Sequence, residues 1–114
     1  MSLGDRIPTE LFQSAITASA VTYFTNTSSS YRTQMTGLFI ANTGSTARVV
    51  TLYKNGTGAA NQIVNSLSLE ANTSAIIDLS GKPLIFTGTQ TFGAKQDTGT
   101  DVSITATGII EQIV

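Results

Sequence analysis

Cysteine and histidine are both absent from the 114-residue chain. Without cysteine there is no disulfide framework and no thiolate metal site, and without histidine the commonest metal ligand and general base is missing too. Ser-His-Asp and Cys-His catalysis are thereby excluded. Tryptophan is also absent, and the three tyrosines are spread out, which argues against the aromatic platforms that stack sugars. Charge is scarce, with 11% of residues charged against the roughly 25% usual in soluble domains. The six basic residues, Arg6, Arg32, Arg48, Lys54, Lys82 and Lys95, stand singly against seven acids, giving a net charge of −1. No electrostatic footprint for nucleic acid follows. No apolar run approaches the ~18 residues of a membrane span, and Met1-Ser2-Leu3-Gly4-Asp5-Arg6 lacks the apolar stretch of a signal peptide. A soluble product made in the cytoplasm, without a membrane partner, is expected.

What fills the space is serine, threonine, asparagine and glutamine, set among β-branched and aromatic runs. Short uncharged side chains lose little rotamer entropy when immobilised, which suits a surface packed against neighbours; threonine is equally a good strand residue. The length suits one domain able to bury a single ordinary core. Strands are expected over about Ala15 to Thr25, Thr33 to Ala41, Ala47 to Lys54, Ile63 to Leu69, Thr73 to Leu79 and Asp101 to Val114. Leu84 to Thr87 and Thr89 to Lys95 read as two short strands around Gly88, or one strand bent at a glycine bulge. Thr33 to Ala41 is apolar on both faces, with Met35, Gly37 and Phe39 opposite Thr36, Leu38 and Ile40, so it should be central; a hairpin with Ala47 to Lys54 is the natural pairing. Asn55-Gly56 is the strongest short turn signal, since both residues tolerate positive φ. Thr9 to Ala15 could supply a short turn of helix, and residues 1–10 look like an extended arm directed by Pro8.

Roughly seven or eight short strands at regular spacing predict an all-β fold, a single antiparallel sandwich of Ig-like or jelly-roll type over residues 11–114.

The motifs that tempt a chemical reading have plainer explanations. Asp97-Thr98-Gly99 matches the aspartic-protease triplet, yet it follows polar Ala94-Lys95-Gln96 near the C-terminus, where a turn uses the same residues. Asp97 and Asp101 could share a Ca²⁺ ion, but two carboxylates are too few for a hard cation. Glu10, Glu70 and Glu111 are too dispersed to nominate as a glycosidase pair. No Walker or dinucleotide glycine pattern follows a strand. The Asn-x-Ser/Thr triplets at Asn26, Asn55 and Asn72 are expected by chance in so Ser/Thr-rich a chain. The sequence therefore nominates no catalytic, cofactor-binding or metal residue.

Two segments invite an interface reading. Gly108-Ile109-Ile110-Glu111-Gln112-Ile113-Val114 makes both faces of the last strand apolar, so either it lies centrally between covered faces or one face meets another subunit. In Ser28-Ser29-Ser30-Tyr31-Arg32, the last two residues are of the types enriched at binding anchors. Tyr31, Arg32, Ile109, Ile110, Ile113 and Val114 are the candidate interface residues.

Arg6-Ile7-Pro8-Thr9-Glu10-Leu11 followed by an Ala/Thr/Ser-rich strand, then Gly37-Leu38-Phe39-Ile40-Ala41-Asn42-Thr43, Val49-Val50-Thr51-Leu52-Tyr53 and Ile76-Ile77-Asp78-Leu79, resembles small virion structural proteins of tailed bacteriophages. The resemblance covers most of the chain. It implies a noncatalytic β-sandwich that oligomerises, with trimers favoured, and packs on the particle as a capsid decoration (cement) protein. A head, neck, tail or fibre accessory that binds another virion protein or a host glycan is the alternative it leaves. The implied partners are further copies of the chain and phage capsid or tail proteins, and the implied location is the virion.

Overall fold

The computed structural model describes residues 2–114. Among the described residues there are nine strands: β1 (Arg6–Ala15), β2 (Val21–Thr25), β3 (Tyr31–Asn42), β4 (Arg48–Lys54), β5 (Gln62–Leu69), β6 (Thr73–Asp78), β7 (Leu84–Phe86), β8 (Thr91–Gln96) and β9 (Val102–Gln112). A single 3₁₀ turn, Ala59–Asn61, precedes β5. Every strand pairing is antiparallel: β1 with β9, β2 with β8, β3 with β6 and β7, and β4 with β5 along the ribbon, and β3 with β9 and β4 with β8 where its turns meet. The chain is thus one long ribbon, doubled at the β4–β5 connection and rolled into two sheets, which is the jelly-roll order. Sheet A runs β1-β9-β3-β6, with β7 also on β3, and sheet B runs β2-β8-β4-β5.

The rolled topology overturns the expected hairpin between Thr33 to Ala41 and Ala47 to Lys54. β3 and β4 lie in different sheets, because Asn42 to Arg48 carries the chain across the sandwich rather than back on itself. Leu84 to Lys95 is likewise not one bent strand, since β7 joins sheet A and β8 joins sheet B, with Gly88 at φ 58° between them. The helical turn considered at Thr9 to Ala15 is strand: β1 pairs with β9 from Arg6↔Glu111 to Ala15↔Ser103. Residues 6–10, read as part of an arm, are extended and form the first half of that strand.

The core explains the period-2 pattern. In β9, Val102, Ile104, Ala106 and Gly108 are buried while the residues between them are half-exposed. In β3 the phase slips, because a bulge between Met35 and Gly37 puts Met35, Leu38 and Ile40 on one buried face. The expected grouping of Met35 with Phe39 fails for this reason, and Phe39 points away from the core. From sheet B come Val50, Leu52, Phe92 and Ala94, and Phe86 of β7 closes one end. Phe86 stacks edge-on to Phe24 and to Phe92, with ring centroids 5.5 and 6.4 Å apart, within the range where aromatic pairs add to simple burial.

Two buried asparagines clamp the ends of β3. Nδ2 of Asn26 donates to the carbonyls of Ser28, Tyr31 and Gly88, and its Oδ1 accepts from Thr33. Asn42 Nδ2 donates to the carbonyls of Thr46, Leu69 and Glu70, and its Oδ1 accepts from the Gly44 amide. Loop carbonyls that would otherwise be buried without partners are satisfied in this way. Asn26, at 1% exposure, is closed to glycosylation in the folded state.

Candidate functional site

The six candidate interface residues gather at one end of sheet A, where the start of β3 meets the end of β9. Tyr31 lies opposite Gln112 and Arg32 opposite Glu111. Ile110 faces inward between Ile7 and Thr33, and Ile109 faces outward between Pro8 and Gln34. The tail is tied down by the Ile113 amide, which donates to the Ser30 carbonyl at 2.8 Å, yet Val114 remains largely exposed. Leu3 and Ile7 add exposed apolar surface at the same end.

Arg32 is engaged in an ion-pair network. Glu111, 8% exposed, accepts from Arg32 Nε at 3.0 Å and Gln34 Nε2 at 2.6 Å, and Arg6 Nε lies 3.3 Å from its other oxygen. These hydrogen bonds, chiefly the one from Arg32, hold the Glu111 carboxyl below the usual glutamate range. At the opposite end Arg48 binds Asp101 at 3.0 Å and lowers its pKa in the same way. Asp97 accepts from the Val49 amide, and Gly99 takes φ 76°, so Asp97-Thr98-Gly99 forms the turn that its residues suit. Among the described residues no three His, Cys, Asp or Glu side chains converge to hold a metal ion, and no helix is long and apolar enough to cross a membrane.

The apolar surface that sequence reasoning missed lies on sheet A. Its outer face carries Phe39, Ile76 and Ile85, exposed at 46%, 69% and 39%. A shallow hollow of about 380 Å³ surrounds the first two, walled by Gln13, Ser74, Ser103 and Thr105. The clue was present in β6, where the outward set Ser74, Ile76, Asp78 contains one large apolar residue among polar ones. Beside β6 the sandwich is open. An apolar crevice of about 190 Å³ there reaches down to the core residues Leu38 and Leu52 and is lined by Ile63, Ile77, Leu79 and Leu84.

No family model matches the chain, and no curated protein matches it. Among solved structures, it is similar to the protein of Bacillus endospore appendages, described as a family of disulfide-linked pili (12% identity, 98% of this chain and 88% of that one, TM-score 0.51). It is also similar to the Drosophila NLP core, described in connection with pentamer formation and histone binding (11% identity, 86% and 95%, TM-score 0.50). A looser overlap is with a chain of the T13 IBDV viral particle (13% identity, 94% and 31%, TM-score 0.49). At such identities the first two likenesses establish the all-β sandwich fold alone, and the third is too loose to carry an argument.

Proposed function

We propose that this chain is a noncatalytic structural subunit of a tailed-phage virion that assembles with copies of itself and cements the capsid, with the trimer as its assembly. One observation carries the reading: Phe39, Ile76 and Ile85 stand exposed on the outer face of sheet A, the first two among uncharged Gln13, Ser74, Ser103 and Thr105, with the charged Arg6, Arg32 and Glu111 confined to one end of that face. Apolar surface rimmed by uncharged polar groups is what a packing interface needs. The shortage of catalytic side chains supports a structural role. The Bacillus appendage protein, whose family builds pili, and the Drosophila core, described with a pentamer, place the same fold in assemblies. Light scattering of the pure protein, with and without undecorated capsids, tests the reading. A multimer that adds to capsids is expected; a monomer at every concentration that leaves capsids bare refutes it.

A glycan-binding tail or fibre module is the second reading, favoured by the hollow in which Phe39 lies among hydrogen-bonding Gln13, Ser74 and Thr105. Glycan-array binding that disappears in Phe39→Ala, with assembly unchanged, would replace cementing by this role.

A further inference from the structure

We propose that two copies of this chain join through the free edge of β6, each β6 pairing antiparallel with its counterpart about a two-fold axis that passes beside Ile76. The proposal rests on the self-assembly reading above and adds a contact to it. β6 lies along the second half of β3, so the contact leaves the Tyr31 to Val114 end of sheet A free for the trimer and joins copies from neighbouring trimers.

The four edges of the sandwich differ in how they are guarded. On sheet B, β5 is broken by two register shifts and by Ser66 at φ 64°, and β2 has five residues with a shift of its own. On sheet A, β1 carries Pro8, which has no N–H to give, between Arg6 and Glu10, and a bulge follows Glu10. Such features protect an edge from pairing. β6, Thr73-Ser74-Ala75-Ile76-Ile77-Asp78, has none of them: it pairs with β3 in unbroken register, contains no proline, and carries its one charge at its end. Ser74, Ile76 and Asp78 are exposed, Ile76 at 69%.

The ladders on both sides of β3 show which backbone groups of β6 are unpaired. The Leu79 amide donates to the Thr36 carbonyl at 2.9 Å, one step beyond the Gly37↔Asp78 pair. Across β3, the Thr43 amide donates to the Asp101 carbonyl at 3.0 Å, one step beyond Asn42↔Val102. Bonded and non-bonded pairs alternate in an antiparallel ladder, and both observations give the same phase. Leu38 and Ile40 bond to Ile77 and Ala75, whereas Ser74, Ile76 and Asp78 turn their N–H and C=O groups to the open edge.

Phase and charge then select one register. Keeping the faces of the joined sheets continuous lets the strands slide only in steps of two residues. Setting Ile76 opposite its own counterpart places Ser74 opposite Asp78 on either side, so every outward N–H and C=O of the strand finds a partner. Sliding by two residues leaves Asp78 or Ser74 facing the turn at Asn72 or at Ser80. Sliding by four, towards Asp78, sets two carboxylates face to face. The selected register also covers apolar surface. Phe39 lies beside Ile76 on the outer face, so the Phe39 and Ile76 side chains of the two copies form one row across the joined sheets. On the inner face, Ile77, which lines the apolar crevice, is set beside Ala75 of the other copy. The contact is isologous and small by the standard of stable interfaces, so free protein should make it only at high concentration.

The lack of cysteine makes introduced thiols unambiguous. Residues opposed in a bonded antiparallel pair have Cα atoms about 5.5 Å apart, inside the range a disulfide spans. Two copies of Ser74 would be four residues out of register, about 13 Å apart along the strand. Ile76→Cys protein, oxidised at high concentration, should therefore link to itself on the order of tenfold faster than Ser74→Cys protein, each rate being normalised to that thiol's reaction with a small disulfide reagent. Neither substitution removes a proline or a charge. If the unmodified chain multimerises or adds to capsids but I76C links no faster than S74C, the β6 contact is overturned and self-assembly stands. If the unmodified chain is monomeric at every concentration, leaves capsids bare, and I76C links no faster than S74C, both fall.

Discussion

Asn42 is worth more to this fold than its size suggests. Its amide donates to the carbonyls of Thr46, Leu69 and Glu70, and removing it leaves buried acceptors that no apolar replacement can satisfy. Asn42→Ala should lose about 2–4 kcal/mol in urea unfolding. Asn42→Asp should fare no better, since a carboxylate cannot donate. Glu111 offers a test that pH reads. Its folded pKa is lowered, chiefly by the hydrogen bond from Arg32, so the stability it adds is fully present above the ordinary glutamate value of about 4.3 and is lost as pH falls through the lower folded value. The unfolding midpoints of the parent and Glu111→Gln should therefore differ at neutral pH and converge in acid. A gap that stays constant down to acid pH would show that the network around Glu111 adds nothing that depends on its charge.

At the scale of elements, the close packing of β9 between β1 and β3 is tested at Gly108. A side chain there would collide with the Gln34 carbonyl, backbone that cannot swing aside, and lie 3.1 Å from Leu11 Cδ1. Gly108→Ala should cost about 3 kcal/mol, whereas Gly81→Ala, in open space, should change stability by under about 0.5 kcal/mol. Equal unfolding midpoints for the two would contradict the packing described. The strands themselves were largely readable: Ala47 to Lys54, Ile63 to Leu69 and Thr73 to Leu79 match β4, β5 and β6 to within two residues at each end, because half-burial writes a period of two into the sequence. Partners were not readable. A two-sheet ribbon sends β3 to β9 and β6, pairings decided by contacts far apart in sequence, while the local pattern favoured a neighbour. The bulge at Thr36 was hidden for a related reason, since one extra residue reverses the facing of everything before it and made Met35 and Phe39 look like companions. The interface reading shared these limits. The apolar C-terminal run could be seen along one strand, but the joint placement of Phe39 and Ile76 exists only once β3 and β6 are side by side.

For the whole molecule, the two sheets differ in what they offer. Sheet B turns a broken β5 and a short β2 to its sides, while sheet A presents the regular edge of β6, an apolar outer face and a crevice that opens beside that edge; its other edge, β1, carries Pro8 and a bulge after Glu10. An isolated subunit leaves Phe39, Ile76, Ile85 and Val114 in water, and the proposed assembly would cover them. The most direct test is the mass of the unmodified protein in solution, followed by light scattering from micromolar to millimolar concentration. The account predicts a concentration-dependent shift from the 11.9 kDa subunit to a defined multiple of it, with three the expected number. A constant 11.9 kDa across the whole range, with no uptake onto capsids, would contradict it.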